Sequence, residues 1–346
     1  MAGTAWRRRG QGRGQGLGQG LGQGLGRRGL LVLPFLGARA GSAAEGDFPN
    51  RPVTIIVPFP PGGATDAIAR PVAAGLQKVW GQSVVLQNRG GGGGAIGMNA
   101  AQRLPADGYS ALIQHVAWSS IPAADALFGR PPSIDTAAFT SISLLTADPL
   151  IFCVKADAPW RNWAEFVADA RARPGEIAYG SSGAYSAVHL PAEMLAHAAG
   201  IRLHHVPYTG GGPLMTALLG GQIATTGSVP TVMAPFIKDG QMRALVSTGA
   251  KRVALLPDVP TAMELGYPGV EFYLWVGLFT QAGVDPALIA RWRDGIAAAV
   301  AAPETLRALA GSGSVLDLRT GADFAAFLAA DARRVTDAVQ RIGRVE

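Results

Sequence analysis

The sequence predicts an α/β fold built on largely parallel sheets, and three observations carry that expectation. From residue 53 onward, short runs rich in Val, Ile and Leu alternate with longer stretches of helical pattern. Three of those runs pass directly into loops of Gly, Ser, Pro and Thr that open helices, the usual ligand position in an open α/β sheet. A chain of 346 residues, 48% hydrophobic and 16% charged, is also long enough for two domains or one elaborated one.

Residues 53–59 read as the first strand, ended by Pro60-Pro61-Gly62-Gly63. A helix over 64–80 follows, with Thr65 or Asp66 near its cap and a kink or late start at Pro71. A strand over 83–88 leads through the five glycines 90–94 to a helix over 95–103, and Asp107-Gly108 turns into a strand over 109–114. Strands over 150–155 and 176–180 bracket a helix over 163–173, which Pro174-Gly175 stops. The small-residue loop 181–186 opens a helix to about residue 199. A strand over 203–208, a loop over 209–213 and a short helix over 214–219 come next. Strands over 222–226 and 242–247 flank a helix ending near Lys238, and 272–280 reads as a buried strand. Helices over 286–300 and 321–342 finish the chain, the first with Asp285 as cap and Pro286 at its opening position. Trp160, Trp163 and Trp292 fit packing positions, while Tyr273 and Trp275 fit either core or cleft lining.

The net charge of +6 belongs to the leader. Residues 1–40 hold seven arginines and no acid, so the remainder has 23 basic against 24 acidic residues and lacks the electrostatic footprint of a nucleic-acid binder. Arg27-Arg28, the apolar run 29–36 and Ala38-Arg39-Ala40 together match a cleavable export signal, too short to span a bilayer. The paired arginines allow a twin-arginine route, and the general secretory route stays open. The repeats over 11–26 are low-complexity and carry no fold information. One cysteine, Cys153, excludes a disulfide scaffold or a Cys-rich zinc module and supplies no lipid anchor after the leader. The expected mature protein starts near 41–45 and is soluble and outside the cytoplasm.

Helix starts offer free N–H groups and partial positive charge, so the three loops favour an anion. No Lys or Arg lies within 58–66, 180–189 or 206–213; recognition would therefore use amides and hydroxyls. Arg51 and Arg70 lie outside the first loop and are expected to matter little. Asp66 would oppose an anion unless it capped its helix or met an ammonium group. The glycine run 90–94 lacks a following Gly-Lys-Ser/Thr and reads as a flexible turn rather than a phosphate loop. His189, Glu193 and His197 share a helix face without metal-ligand grammar, and His204 and His205 point to opposite faces of a strand. A serine hydrolase built on Ser181 or Ser182 with His189 is the rival from another class, although no G-x-S-x-G elbow is present.

Seven ordered motifs then carry a resemblance. They are Arg51-Pro-Val-Thr-Ile-Ile-Val-Pro-Phe-Pro-Pro-Gly-Gly-Ala-Thr-Asp66, Gln87-Asn-Arg-Gly-Gly-Gly-Gly-Gly-Ala-Ile-Gly97, Asp107-Gly-Tyr109, Tyr179-Gly-Ser-Ser-Gly183, His189-Leu-Pro-Ala-Glu193, His205-Val-Pro-Tyr-Thr-Gly-Gly211 and Leu256-Pro-Asp-Val-Pro-Thr261. Over about 48–346 the chain resembles the tripartite tricarboxylate transporter receptors, also called the Bug family.

 The resemblance implies a two-lobed periplasmic binding protein type II fold, each lobe a central sheet flanked by helices, joined by two crossing strands. Lobe one would be 48–149 with 273–346 and lobe two 150–272, with crossings at 150–154 and 272–280. It implies a non-enzymatic receptor, without cofactor or metal, that acts as a monomer and hands a small organic carboxylate to transporter membrane subunits. A sensor receptor presenting its ligand to a signalling protein is the alternative within the same fold.

The ligand-binding residues that the resemblance implies fall on two sides of a cleft. Phe59, Pro61, Gly62, Gly63, Ala64, Thr65, Asp66 and His115 would come from lobe one. Ser181, Ser182, Gly183, Ser186, Tyr208, Gly210, Gly211 and Ser228 would close from lobe two. Ser228 stands where relatives frequently carry an acid, which argues against an amino-acid ligand.

Overall fold

The computed structural model describes residues 48–310 and 314–345; the expected leader and cleavage site lie outside them. In chain order, the first part comprises β1 (Val53–Val57), α1 (Ala64–Trp80), β2 (Val84–Asn88), α2 (Ala95–Gln102), β3 (Ser110–His115), α3 (Ala117–Leu127) and β4 (Phe139–Pro149). The middle holds β5 (Ile151–Lys155), α4 (Trp163–Ala172), β6 (Ala178–Ser181), α5 (His189–Ala199), β7 (His204–Pro207), α6 (Gly211–Leu219), β8 (Thr225–Ser228), α7 (Pro230–Lys238) and β9 (Met242–Ser247). The last part is β10 (Tyr273–Gln281), α8 (Pro286–Ala301), α9 (Pro303–Ala310), β11 (Leu316–Thr320) and α10 (Gly321–Ile342). Among the described residues no helix is long and apolar enough to cross a membrane.

The strands form two sheets, ordered β11-β4-β10-β3-β1-β2 and β7-β6-β8-β5-β9. Both are mixed, which corrects the expectation of largely parallel sheets. β1 pairs in parallel with β2 and β3, and β6 with β7 and β8, but β10 runs antiparallel to β3 and β4, and β5 antiparallel to β8 and β9. The antiparallel strands are the ones adjoining the passages between the sheets, where the chain does not follow a simple βαβ path.

Those passages also differ from the expected segments. β5 lies wholly in the second sheet and β10 wholly in the first, so the chain crosses at Leu150 and again over 248–272. Thr248 closes the junction: its amide donates to the Leu150 carbonyl at 3.0 Å, and its hydroxyl accepts from the Leu150 amide at 2.9 Å and donates to the Phe272 carbonyl at 2.6 Å.

Local chemistry accounts for most element positions. In α1, Ile68, Ala69, Val72, Ala73 and Leu76 make a buried stripe at helical spacing, each large side chain contributing about 1.5–3 kcal/mol of burial. The helix starts at Ala64 and continues through Pro71, contrary to the expected late start. Its N-cap is Gly63, not Thr65 or Asp66, and it makes no side-chain cap bond. At α8 the Asp285 side chain accepts from the Ala287 amide at 2.8 Å, as a capping aspartate before proline should.

Four elements, α3, β4, α9 and β11, were not legible in the sequence pattern, and β8 begins at Thr225 rather than Gln222. Trp275 belongs to the core, buried with Phe324 and Phe327 set edge-on to its ring. Tyr273 is half-buried, and its hydroxyl accepts from the Ala250 amide at 2.9 Å.

Candidate functional site

β1 and β3 end beside the start of α1, and β6 and β8 end beside the start of α6. Together they enclose a small cavity of about 30 Å³, room for a water-sized group. From the first sheet's side it is lined by Phe59, Gly63, Ala64, Thr65, His115 and Leu274. From the second come Ser182, Ala187, Val188, Gly211, Leu214, Met215, Gly227 and Ser228. A groove of about 830 Å³ adjoins it and shares Ser182, with Gly183, Ser186 and Tyr208 also in its wall.

Eight of the expected residues therefore line the cavity, namely Phe59, Gly63, Ala64, Thr65, His115, Ser182, Gly211 and Ser228. Gly183, Ser186 and Tyr208 face the outer groove. Pro61, Gly62, Asp66, Ser181 and Gly210 line neither space; Asp66, Ser181 and Gly210 are buried, whereas Pro61 and Gly62 are exposed. Leu214 and Met215 were missed; their apolar pair directly after Gly211-Gly212-Pro213 was the signal available.

Asp66 supports the first loop. Its buried carboxylate accepts the Gly62 amide at 3.0 Å, Arg70 at 2.8 and 3.1 Å, and Asn88 Nδ2 at 3.1 Å. Burial pushes its pKa up, but the bonds from Arg70, Gly62 and Asn88 outweigh that and hold it below the ordinary carboxylate value. The acid thus fixes the glycine turn and is neutralised by Arg70, so it does not oppose an anion. Gly62 itself has φ +83°, a left-handed turn conformation that favours glycine. The first intrahelical bond runs from the Ala67 amide to the Gly63 carbonyl, which leaves the amides of Ala64, Thr65 and Asp66 at the helix start.

Among the described residues lining the cavity there is no Lys, Arg, Asp or Glu. The one titratable group is His115, whose ring stacks on Phe59 with centroids 4.2 Å apart. Burial pushes its pKa down to about 3. Its Nδ1 accepts from the Ala117 amide at 3.1 Å, so the neutral ring carries its proton on Nε2, a donor without charge. The site offers amides, hydroxyls and this imidazole N–H against apolar walls.

Ser181 and His205 are 2.6 Å apart, yet the pair is not a nucleophile with its base. The hydroxyl donates to the Gly183 carbonyl at 2.8 Å, so His205 Nε2–H is the donor and the proton lies the wrong way for activation. His189 is occupied as well: its Nδ1 accepts from the Tyr185 amide at 3.0 Å. Glu193 accepts from the Tyr179 hydroxyl, while His197 is exposed. Tyr185, at φ +56°, donates its hydroxyl to the Gly343 carbonyl at 2.9 Å and accepts from the Val345 amide at 3.0 Å. The 181–186 loop is thereby tied to the segment that follows α10.

A cavity walled by two α/β sheets, fed by helix starts from both and holding uncharged donors, fits a solute-binding receptor. The chain belongs to the tripartite tricarboxylate transporter receptor family, whose model matches residues 68–344. It is 34% identical over 320 residues to protein BugT of Bordetella pertussis, covering 91% of this chain and 97% of BugT. Two solved structures share its fold. Periplasmic binding protein BugD is 29% identical with a TM-score of 0.80, covering 86% of this chain and 99% of BugD. The R. palustris protein Rpa4515 with adipate is 29% identical with a TM-score of 0.81, covering 86% of this chain and 99% of that protein. The family is one of transporter receptors, and the chain is accordingly a receptor rather than an enzyme.

Proposed function

We propose that the protein is a periplasmic receptor that captures a small organic carboxylate between two lobes, 48–149 with 273–346 and 150–272, and delivers it to the membrane subunits of a tripartite transporter. The observation that carries this reading is the convergence of α1 and α6, one from each side, on a single cavity without charged walls. Each helix start bears roughly half a positive charge, and a carboxylate between them meets both. Each hydrogen bond to the anion contributes about 1.5–3 kcal/mol, enough in sum for tight capture without an ion pair. Release stays possible because each bond can be given back to water as the lobes part. The export signal read over residues 1–40 supports the periplasmic assignment, and the adipate held by Rpa4515 supports the ligand class.

The test is to purify the exported protein and identify by mass spectrometry what leaves it on denaturation, then to titrate that compound back by calorimetry. A small carboxylate binding one per chain is the expected result. A cation or an uncharged sugar as the bound species would overturn the reading.

A further inference from the structure

We infer that Gly212, with Gly211 beside it, determines closure of the cleft: it is small because the facing loop needs its space, and not for the sake of its own helix. The inference rests on the reading of the cavity as a site between two lobes that part and close. Gly211 and Gly212 open α6, and neither has a left-handed backbone, so alanine fits the helix taken alone and favours it. What excludes alanine is the loop before α1. A Cβ on Gly212 would stand 2.2 Å from the Pro61 carbonyl oxygen, and one on Gly211 would stand 2.7 Å from the Gly63 Cα. Both obstacles are backbone, so no side-chain rotation relieves them.

The two loops can therefore meet, backbone against backbone, only because both positions lack a side chain. One methyl group holds them about 1 Å too far apart for normal contact. A ligand stabilises closure by touching both sides, and that gain is lost if the closed form cannot be reached. Gly212→Ala should leave the open fold sound and disable the closed one.

The experiment compares wild type, Gly212→Ala and the control Gly269→Ala, whose added Cβ meets nothing within 4 Å. Ligand-free melting, calorimetry and small-angle scattering are measured with a panel of three- to six-carbon mono- and dicarboxylates that includes adipate. Gly212→Ala is expected to melt at the wild-type temperature or about 1–3 °C higher. It should bind the best panel compound at least ~100-fold more weakly and show no ligand-induced contraction, while Gly269→Ala follows wild type throughout. Contraction and wild-type affinity in Gly212→Ala would overturn the inference. So would a ligand-free melting temperature several degrees below wild type, which would make the contact part of the resting fold. If no panel compound bound wild type, the carboxylate reading would fail by itself, and the ligand-free melting comparison would still decide the role of Gly212.

Discussion

The carboxylate of Asp66 accepts the amide proton of Gly62 at 3.0 Å, so the first turn of α1 fixes the glycine turn that precedes it. Removing that carboxylate frees the turn and leaves Asn88 Nδ2 with the Phe59 carbonyl as its one remaining acceptor. Asp66→Ala should weaken carboxylate binding by roughly 10- to 150-fold, the equivalent of one lost hydrogen bond to a charged group. Arg70→Ala should have a smaller effect in the same direction, because Arg70 is 58% exposed and solvent screens its pairing. That revises the expectation that Arg70 is inconsequential. Arg51, paired with Asp107 on the surface, remains a suitable neutral control. Calorimetry on the three variants checks the order.

The Tyr185 hydroxyl is held by both Gly343 and Val345. Tyr185→Phe removes both bonds while keeping the ring, at a cost of about 1–2 kcal/mol, or roughly 2–6 °C in Tm. Hydrogen exchange at Val345 should accelerate in the variant. Unchanged exchange there would show that the hydroxyl does not hold the segment.

Acid should destabilise the protein well above the range of ordinary carboxylates. Burial pushes His115 and His189 down to about 3, and the neighbouring His205 adds to the shift of His189. Unfolded histidine titrates near 6.5, so below that pH the unfolded chain binds more protons and stability falls as pH drops from about 6.5 toward 3. Asp148 acts the other way. Burial raises it to about 6 despite bonds from Ser314 and Val315, so it costs stability as pH rises from about 4 to 6. With His205, which burial pushes down to about 4, three histidines outweigh one aspartate, and urea unfolding should show a net loss on the order of 4 kcal/mol from pH 7 to pH 5. His189→Gln should flatten that slope and Asp148→Asn should steepen it; equal stability at both pH values would contradict this account.

How much of this was legible in the sequence depends on whether a feature is local. The glycine-proline loop after β1, the stripe of α1 and the Asp285 cap are written in neighbouring residues, and each could be read without tertiary information. β4 could not, because its Thr and Ser residues hide a strand whose burial comes from β10 and β11 on either side. α3 carries Pro122 inside it and little amphipathic contrast. In the site, the loops were visible from composition, whereas the roles within them were not. Asp66 became a support through Arg70 and Asn88, and Ser181 turned inward to Gly183 and His205, both decided by partners that only folding supplies.

Ser228 offers the sharpest test of ligand class. It is buried at the end of β8 in the cavity wall, where no acid is present among the described lining residues. An ammonium group placed there would be a buried charge without a partner, which costs several kcal/mol. Wild type should therefore bind succinate or glutarate at least ~100-fold more tightly than aspartate or glutamate, which differ from them by one amino group. Ser228→Asp reverses the logic. Its carboxylate can pair with an ammonium group and repels a second ligand carboxylate, so binding of the plain acids should fall at least ~10-fold while the amino acids gain. Competition calorimetry on both proteins reads the two changes together. Wild-type protein that bound glutamate as tightly as glutarate would show that the missing acid at position 228 does not set the ligand class.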